Sequence, residues 1–364
     1  MFEGLDSDAR RLARLCWLDP SNSEHKRRYR QSEARRAGNG EVLAPVMGLA
    51  EWDAAESSAQ WAAARAALAQ LPEGLVLTGL ETQRTARSNR RTAVYRHLAT
   101  GIEFILIPGG CYQNGESGSD GAGEGGDPRA ETVSLYQLWE HYQPETEGAQ
   151  RQVALQPFVI ARTPMLVDQG GLEQVQRPGE RRPIDGVSGP RAKTLARRLG
   201  RGFRLPTEEQ WEVAARAGAT TRFPWGDHFD PASCWFASNS GYAPHDPAEH
   251  HGQRNGFGLI DTIGNVPEWC LTSAGLPLIR GRDGQRRRRR MIRRGGSWAC
   301  SAGECRVATR NLAALRYQVR GGGIRVAAPL VPRPASSGQA SSRGHAAPEP
   351  RSPAPRQGGD QEAM

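Results

Sequence analysis

The sequence predicts a loop-rich α+β domain with a helical N-terminal extension and a disordered C-terminal tail. Three observations lead there. Glycine and proline supply 43 and 25 of 364 residues, against about 12% in average composition, which suits a turn-built domain and excludes a helical bundle. The apolar runs after residue 100 are short and strand-like, interrupted by one clearly capped helix. The last residues hold almost nothing that could build a core.

Residues 1–100 read as a polar, largely helical region of unknown role. Its best helix is EWDAAESSAQWAAARAALAQL (51–71), in which Trp61, Ala64, Leu68 and Leu71 fall on one face before Pro72 and Gly74 end the pattern. A domain follows over 101–329. IEFILI (102–107) is a strand stopped by Pro108, Gly109 and Gly110. The Gly- and acid-rich run at 114–131 fits no EF-hand spacing and reads as a solvated loop. VALQPFVIA (153–161) is a second strand, bent or edge-placed by Pro157. At 204–218, Thr207 and Gln210 stand three apart as a capping box. Glu208 and Glu209 suit the positive end of the helix dipole, and Gly218 suits its stop. GIRVAA (323–328) is the last strand. Residues 330–364 carry no Phe, Trp or Tyr and cannot offset their ordering entropy, so a disordered tail is expected.

Composition narrows the function. The formal charge is +9, but only Lys26 and Lys193 are lysines, a bias that reflects codon usage more readily than a nucleic-acid surface. The Arg run 286–290 reads as a solvated loop, so a nucleic-acid partner is not expected. His245, Asp246, His250 and His251 lack zinc spacing and read as surface residues. The six cysteines are too scattered for a disulfide scaffold. The N-terminus lacks a signal-peptide pattern, and no apolar run reaches the length of a membrane span. A cytoplasmic protein with reduced cysteines and no membrane partner is the expectation.

The specific signal is an ordered set of motifs: IPGG (107–110), RLPTEEQWEVAARAG (204–218), FPWGD (223–227), NGFGLIDTIGNVPEW (255–269), RRGGSW (293–298) and GGIRVA (322–327). This string resembles the formylglycine-generating enzyme, or sulfatase-modifying factor, family over about 101–329. The resemblance implies a C-type-lectin-like fold with little regular secondary structure. It also implies a structural calcium at Asp261, Gly264, Val266 and Glu268, whose hard oxygens on a tight turn suit Ca²⁺. A salt bridge from Glu268 to an arginine is the alternative. Pro267 replaces the tryptophan common at that point in the family.

Catalytic members of the family are oxidases that convert a peptide cysteine to formylglycine with O₂, holding copper(I) between two cysteine thiolates. Ser297, Cys300 and Cys305 reproduce their spacing when counted from the GGS segment. Counted back from the following strand, Cys305 directly precedes Arg306, the shorter form found in members without evident oxidase chemistry. On that register Cys305 is a buried small residue and Cys300 belongs to a variable loop. Two readings follow. A non-oxidase binding or scaffold module with a peptide or protein partner is slightly favoured, and a copper-dependent oxidase acting on a peptide or protein substrate is the rival. Two other branches fit less well. Sulfoxide synthases need a His-rich helical domain, whereas only His25 and His97 precede residue 101. Retroelement-diversified ligand-binding proteins vary the surface corresponding to 299–323.

Overall fold

The computed structural model describes residues 47–85, 89–115, 143–145, 150–171, 181–249, 254–272, 290–314 and 322–331. These belong to one compact unit that ends at Pro332. Residues 1–46, most of the acid-rich loop, the Arg run up to 289, His250, His251 and the tail beyond 331 lie outside the described residues.

Two helices open the described chain, α1 (Leu49–Ala54) and α2 (Ser57–Gln70). The expected 51–71 helix is thus broken at Ala55 and Glu56, whose backbones are extended. Its apolar face holds: Ala64, Leu68 and Leu71 are buried, and Trp61 is half-buried against the same core.

The expectation of a helical region up to residue 100 is corrected over 75–97. Those residues form a hairpin of β1 (Leu75–Arg84) and β2 (Asn89–His97), with a bulge between Leu77 and Gly79. The physical reason is β-former content: Val76, Thr78, Thr82, Thr92, Val94 and Tyr95 favour a pleated, half-buried surface over a helix. Val94 pairs with Ile105 of β3 (Glu103–Ile107), so the sheet crosses the expected boundary at residue 101.

The main sheet is antiparallel, ordered β1-β2-β3-β7-β11, where β7 is Phe158–Ala161 and β11 is Ala327–Pro329. Pro157, which lacks an N–H for a ladder, divides the expected 153–161 strand. The part before it is β6 (Arg151–Leu155), which pairs with β4 (Gly110–Asn114) in a separate two-stranded sheet. A third sheet has the order β5-β10-β9-β8, with β5 Gln143–Glu145, β8 Glu268–Cys270, β9 Arg290–Arg294 and β10 Arg310–Ala314.

Helix α3 (Gly189–Arg197) and helix α4 (Glu208–Arg216) complete the regular structure. The capping box of α4 forms as the sequence predicts: Gln210 N–H donates to Thr207 Oγ1 at 3.2 Å, and Thr207 N–H donates to Gln210 Oε1 at 3.1 Å. Trp211, Ala214 and Ala215 are buried, and Ala217 and Gly218 end the helix with positive φ. Thr207→Ala should destabilise the protein by about 1 kcal/mol in chemical denaturation, and Thr207→Ser should recover most of it.

Candidate functional site

The site is assembled where β9 runs into the GGSW turn. Arg294, the last residue of β9, is 1% exposed and anchors that turn to α4. Its Nη2 donates to Glu212 Oε2 at 2.5 Å and to the Val307 carbonyl at 3.0 Å, and its Nη1 donates to the Ala308 carbonyl at 3.0 Å. Burial pushes Glu212 up, but Arg294 and Arg216 overcome this and hold its carboxyl below the usual range. Gly296 follows with φ +70, where any Cβ would stand 2.8 Å from Cys305 Sγ. A side chain at 296 would therefore displace that sulfur.

Past the turn, Ser297 is fully buried, and its Oγ accepts from Ala299 N–H at 3.1 Å and donates to Cys300 Sγ at 3.5 Å. A short 3₁₀ turn, Ala302–Glu304, then folds the chain back. It places Cys305 in the same buried apolar cluster as Cys300. Ser297 and Cys300 are thus in direct contact, and Cys305 shares a buried cluster with Cys300. Burial pushes the Cys300 thiol up, and Cys305 adds to this. The Cys305 thiol is pushed up by its contact with Cys234 and by burial, against a lowering contact from Cys300. Both groups are thiols at neutral pH, so a metal must displace their protons to bind.

Cys300 also lines a small cleft with Arg293, Glu304, Thr309 and Asn311. Arg293 packs over the Trp269 ring, with its guanidinium carbon 5.5 Å from the centroid, and its Nη2 donates to Asn311 Oδ1 at 3.1 Å. Glu304 Oε2 accepts from Ser301, whereas Glu304 Oε1 and Thr309 Oγ1 are buried with no hydrogen-bond partner among the described residues. The donor chemistry suits copper(I): two soft sulfurs belong to one buried cluster, one of them at the edge of a polar cleft.

The oxygens of the 261–268 segment do not fit a shared calcium ion. Glu268 is 1% exposed, and its carboxylate accepts from Arg325 Nε at 3.0 and 2.9 Å and from Arg325 Nη2 at 2.8 Å. Trp211 Nε1 adds a bond of 2.6 Å to Glu268 Oε2. A guanidinium thus supplies the positive charge that an ion would bring. The Asp261 carboxylate accepts from Asn265 Nδ2 at 2.7 Å, and Val266 is buried. Gly264 and Asn265 adopt φ of +74 and +53, as the turn demands, and the Gly264 N–H donates to the Gly295 carbonyl at 2.7 Å. Among the described residues, no group of three or more His, Cys, Asp or Glu is arranged to hold a metal. His245 is engaged by Glu249 and the Ser240 carbonyl and stacks on Trp235 at 3.7 Å.

Sequence reasoning missed two residues. Arg325, inside GIRVAA, had a readable signal: an arginine in an apolar strand needs a buried carboxylate. Cys234, buried in the same cluster as Cys305, had none, because nothing local relates the two positions.

The family model described as "Sulfatase-modifying factor enzyme 1-like domain" matches residues 89–330. Similar curated proteins include the formylglycine-generating enzyme of Mycobacterium tuberculosis, 39% identical over 102 residues, covering 25% of this chain and 33% of that protein. The formylglycine-generating enzyme of Streptomyces coelicolor is 40% identical over 100 residues, covering 24% of this chain and 31% of that protein. The mouse protein named "Inactive C-alpha-formylglycine-generating enzyme 2" is 37% identical over 83 residues, covering 20% and 27%. The chain thus spans about a third or less of the length of these relatives. Among solved structures, PvdO from Pseudomonas aeruginosa is similar with a TM-score of 0.48 and 22% identity, over 65% of this chain and 98% of that one.

Two outcomes are expected. Arg325→Met leaves the Glu268 charge buried and unpaired and should cost about 3–5 kcal/mol, whereas EDTA should leave the melting temperature unchanged. Burial also raises the Asp261 carboxyl to about 6, against lowering contributions from Asn265 and Arg325. The folded state then holds this proton more tightly than the unfolded chain, whose Asp titrates near 3.9. Its stabilisation is therefore full below about pH 4 and is lost as pH rises to about 6. Denaturation across that window should show wild type losing roughly 2–3 kcal/mol relative to Asp261→Asn.

Proposed function

Because the chain belongs to the sulfatase-modifying factor enzyme 1-like family, we propose that it is a copper-dependent oxidase converting a peptide cysteine to formylglycine. Cys300 and Cys305 would hold the copper(I). The observation that carries this reading is that the two cysteines lie in one buried cluster, with Cys300 lining a polar cleft. Copper(I) bound there would supply redox chemistry toward dioxygen. The chain's own residues do the positioning. Ser297 fixes the Cys300 side chain, and the small Gly296 leaves room for the Cys305 sulfur. The buried Arg294 and Glu212 pair makes the turn that carries both rigid. The cleft walls offer Glu304 Oε1 and Thr309 Oγ1 as acceptors for N–H groups of a peptide or protein substrate. A reducing compartment such as the cytoplasm would keep both thiols free. Among the described residues, no helix is long and apolar enough to cross a membrane.

A non-oxidase binding or scaffold module is the second reading, and one observation favours it. Cys305 directly precedes Arg306 and packs in an apolar cluster that includes Cys234, which accounts for its burial without copper. That module would bind a peptide or protein partner through the same face.

The two readings separate in one assay. Purified protein loaded with copper(I) and supplied with oxygen and a cysteine peptide should yield the aldehyde product by mass spectrometry, and Cys300→Ala should abolish it. Absence of product at every copper loading, with partner binding that survives Cys300→Ala, would establish the binding module instead.

A further inference from the structure

The solvent face of α3 concentrates positive charge that the thiol site does not use. The apolar side of the helix, Ala192, Leu195 and Ala196, is buried, as is Leu199 just beyond its end. Arg191 and Arg197 are exposed on the other side, with Lys193 half-buried beside them, and the exposed Arg198 and Arg201 follow. Arg191 and Arg198 stand two turns apart and so share a face. None of these five cations has an ion pair or side-chain hydrogen bond among the described residues. The local sequence holds no acid to answer them, since neither Asp nor Glu occurs between Asp185 and Glu208. Elsewhere exposed arginines do find partners: Arg151 pairs with Glu209, and Arg254 with Glu81. An arginine-rich composition explains many cations, but not their segregation from acids on one helix.

The start of α3 lies against the third sheet. Gly189 packs so closely on Met291 that a Cβ there would stand 2.6 Å from Met291 Sδ. Met291 is the second residue of β9, and the run Arg286–Arg290 leads directly into it. Two basic segments far apart in sequence therefore meet at one place.

We propose that α3 and the entry to β9 form one face that binds the phosphate backbone of duplex DNA without reading its sequence. Composition alone gives no reason to expect such a partner; the placement of the cations does. Guanidinium groups pair with phosphates in a bidentate fork, and this contact needs no apolar anchor. A protein partner needs one, because the core of a protein interface is apolar and poor in charge. The exposed large hydrophobic residues among those described are Tyr242 and Val331, and neither lies on α3. A membrane-surface helix must bury its apolar face in lipid, whereas that face of α3 is already in the core. Single strands are held by aromatic stacking platforms, and duplex RNA through its 2′-hydroxyls. The face offers neither an aromatic nor a free hydroxyl donor, since Thr194 Oγ1 donates back to the Pro190 carbonyl at 3.1 Å. The inference is independent of the oxidase reading.

Fluorescence anisotropy tests it, with the full-length chain titrated into a labelled DNA duplex of about 20 base pairs at about 50–200 mM salt. Wild type should bind with an affinity that falls steeply as salt rises. Arg191→Gln, Arg198→Gln and Arg201→Gln together should weaken binding by about tenfold or more at about 0.1 M salt and lower the salt slope by about 2–3. The melting temperature should not move, because all three side chains are exposed. Adding Arg286→Gln through Arg290→Gln should weaken binding further. The same loss of charge at Arg84, Arg151 and Arg254, exposed but away from α3, should change the affinity by less than about twofold. Equal losses in the two triple variants, or no salt-dependent binding by wild type, would overturn the proposal. Tighter binding to single-stranded RNA, duplex RNA, polyglutamate or anionic vesicles would overturn it too, by assigning the face to another partner.

Discussion

The Arg325 guanidinium is entirely enclosed, and each of its nitrogens ends on an acceptor. Nη1 donates to the Ala161 and Arg162 carbonyls at 2.9 and 2.7 Å, Nη2 to the Ile260 and Asp261 carbonyls at 2.7 and 3.0 Å, and Nε and Nη2 to Glu268. An ion pair at this depth repays its desolvation only when its geometry is good and its remaining donors are satisfied. Here both conditions hold. One side chain thereby fixes the end of β7, the 260–261 turn and β8, and Trp211 adds α4 through Glu268. Segments with little regular structure of their own acquire a common reference point.

The cysteine turn depends on that reference. β8 pairs with β9 through Glu268 and Arg294, and β9 delivers the chain into the GGSW turn. Arg294 and Glu212 tie the turn to α4, while Glu208 of the same helix pairs with Arg310 on β10. The thiols therefore sit in a loop, yet the loop is held from both sides by buried charge. Asparagines extend the same logic: Asn265 exchanges hydrogen bonds with the His245 backbone at 3.0 and 2.9 Å, and Asn255 caps two carbonyls at the end of α4. Side-chain-to-backbone bonds here do the work of a ladder, which is how a glycine- and proline-rich chain can hold a defined site.

What the sequence revealed follows from the range of the forces involved. The α4 capping box and the β3 run depend on neighbours a few residues away, and both formed as read. The hairpin at 75–97 was hidden because its β-formers are interspersed with arginines and alanines that favour helices. Cys300 and Cys305 enter one cluster because a single 3₁₀ turn folds the chain back between them. Cys234 reaches its cluster and Arg325 its carboxylate only through the tertiary fold. No periodicity could choose Arg325 for Glu268 among so many arginines.

The central claim is that Cys300 and Cys305 together form a copper(I) site. X-ray absorption at the copper edge of reduced, copper(I)-loaded protein tests it most directly. The account predicts a sulfur-only first shell that contains both thiolates and loses a sulfur in Cys300→Ala. A spectrum dominated by nitrogen or oxygen scatterers, or one unchanged by that substitution, would contradict it.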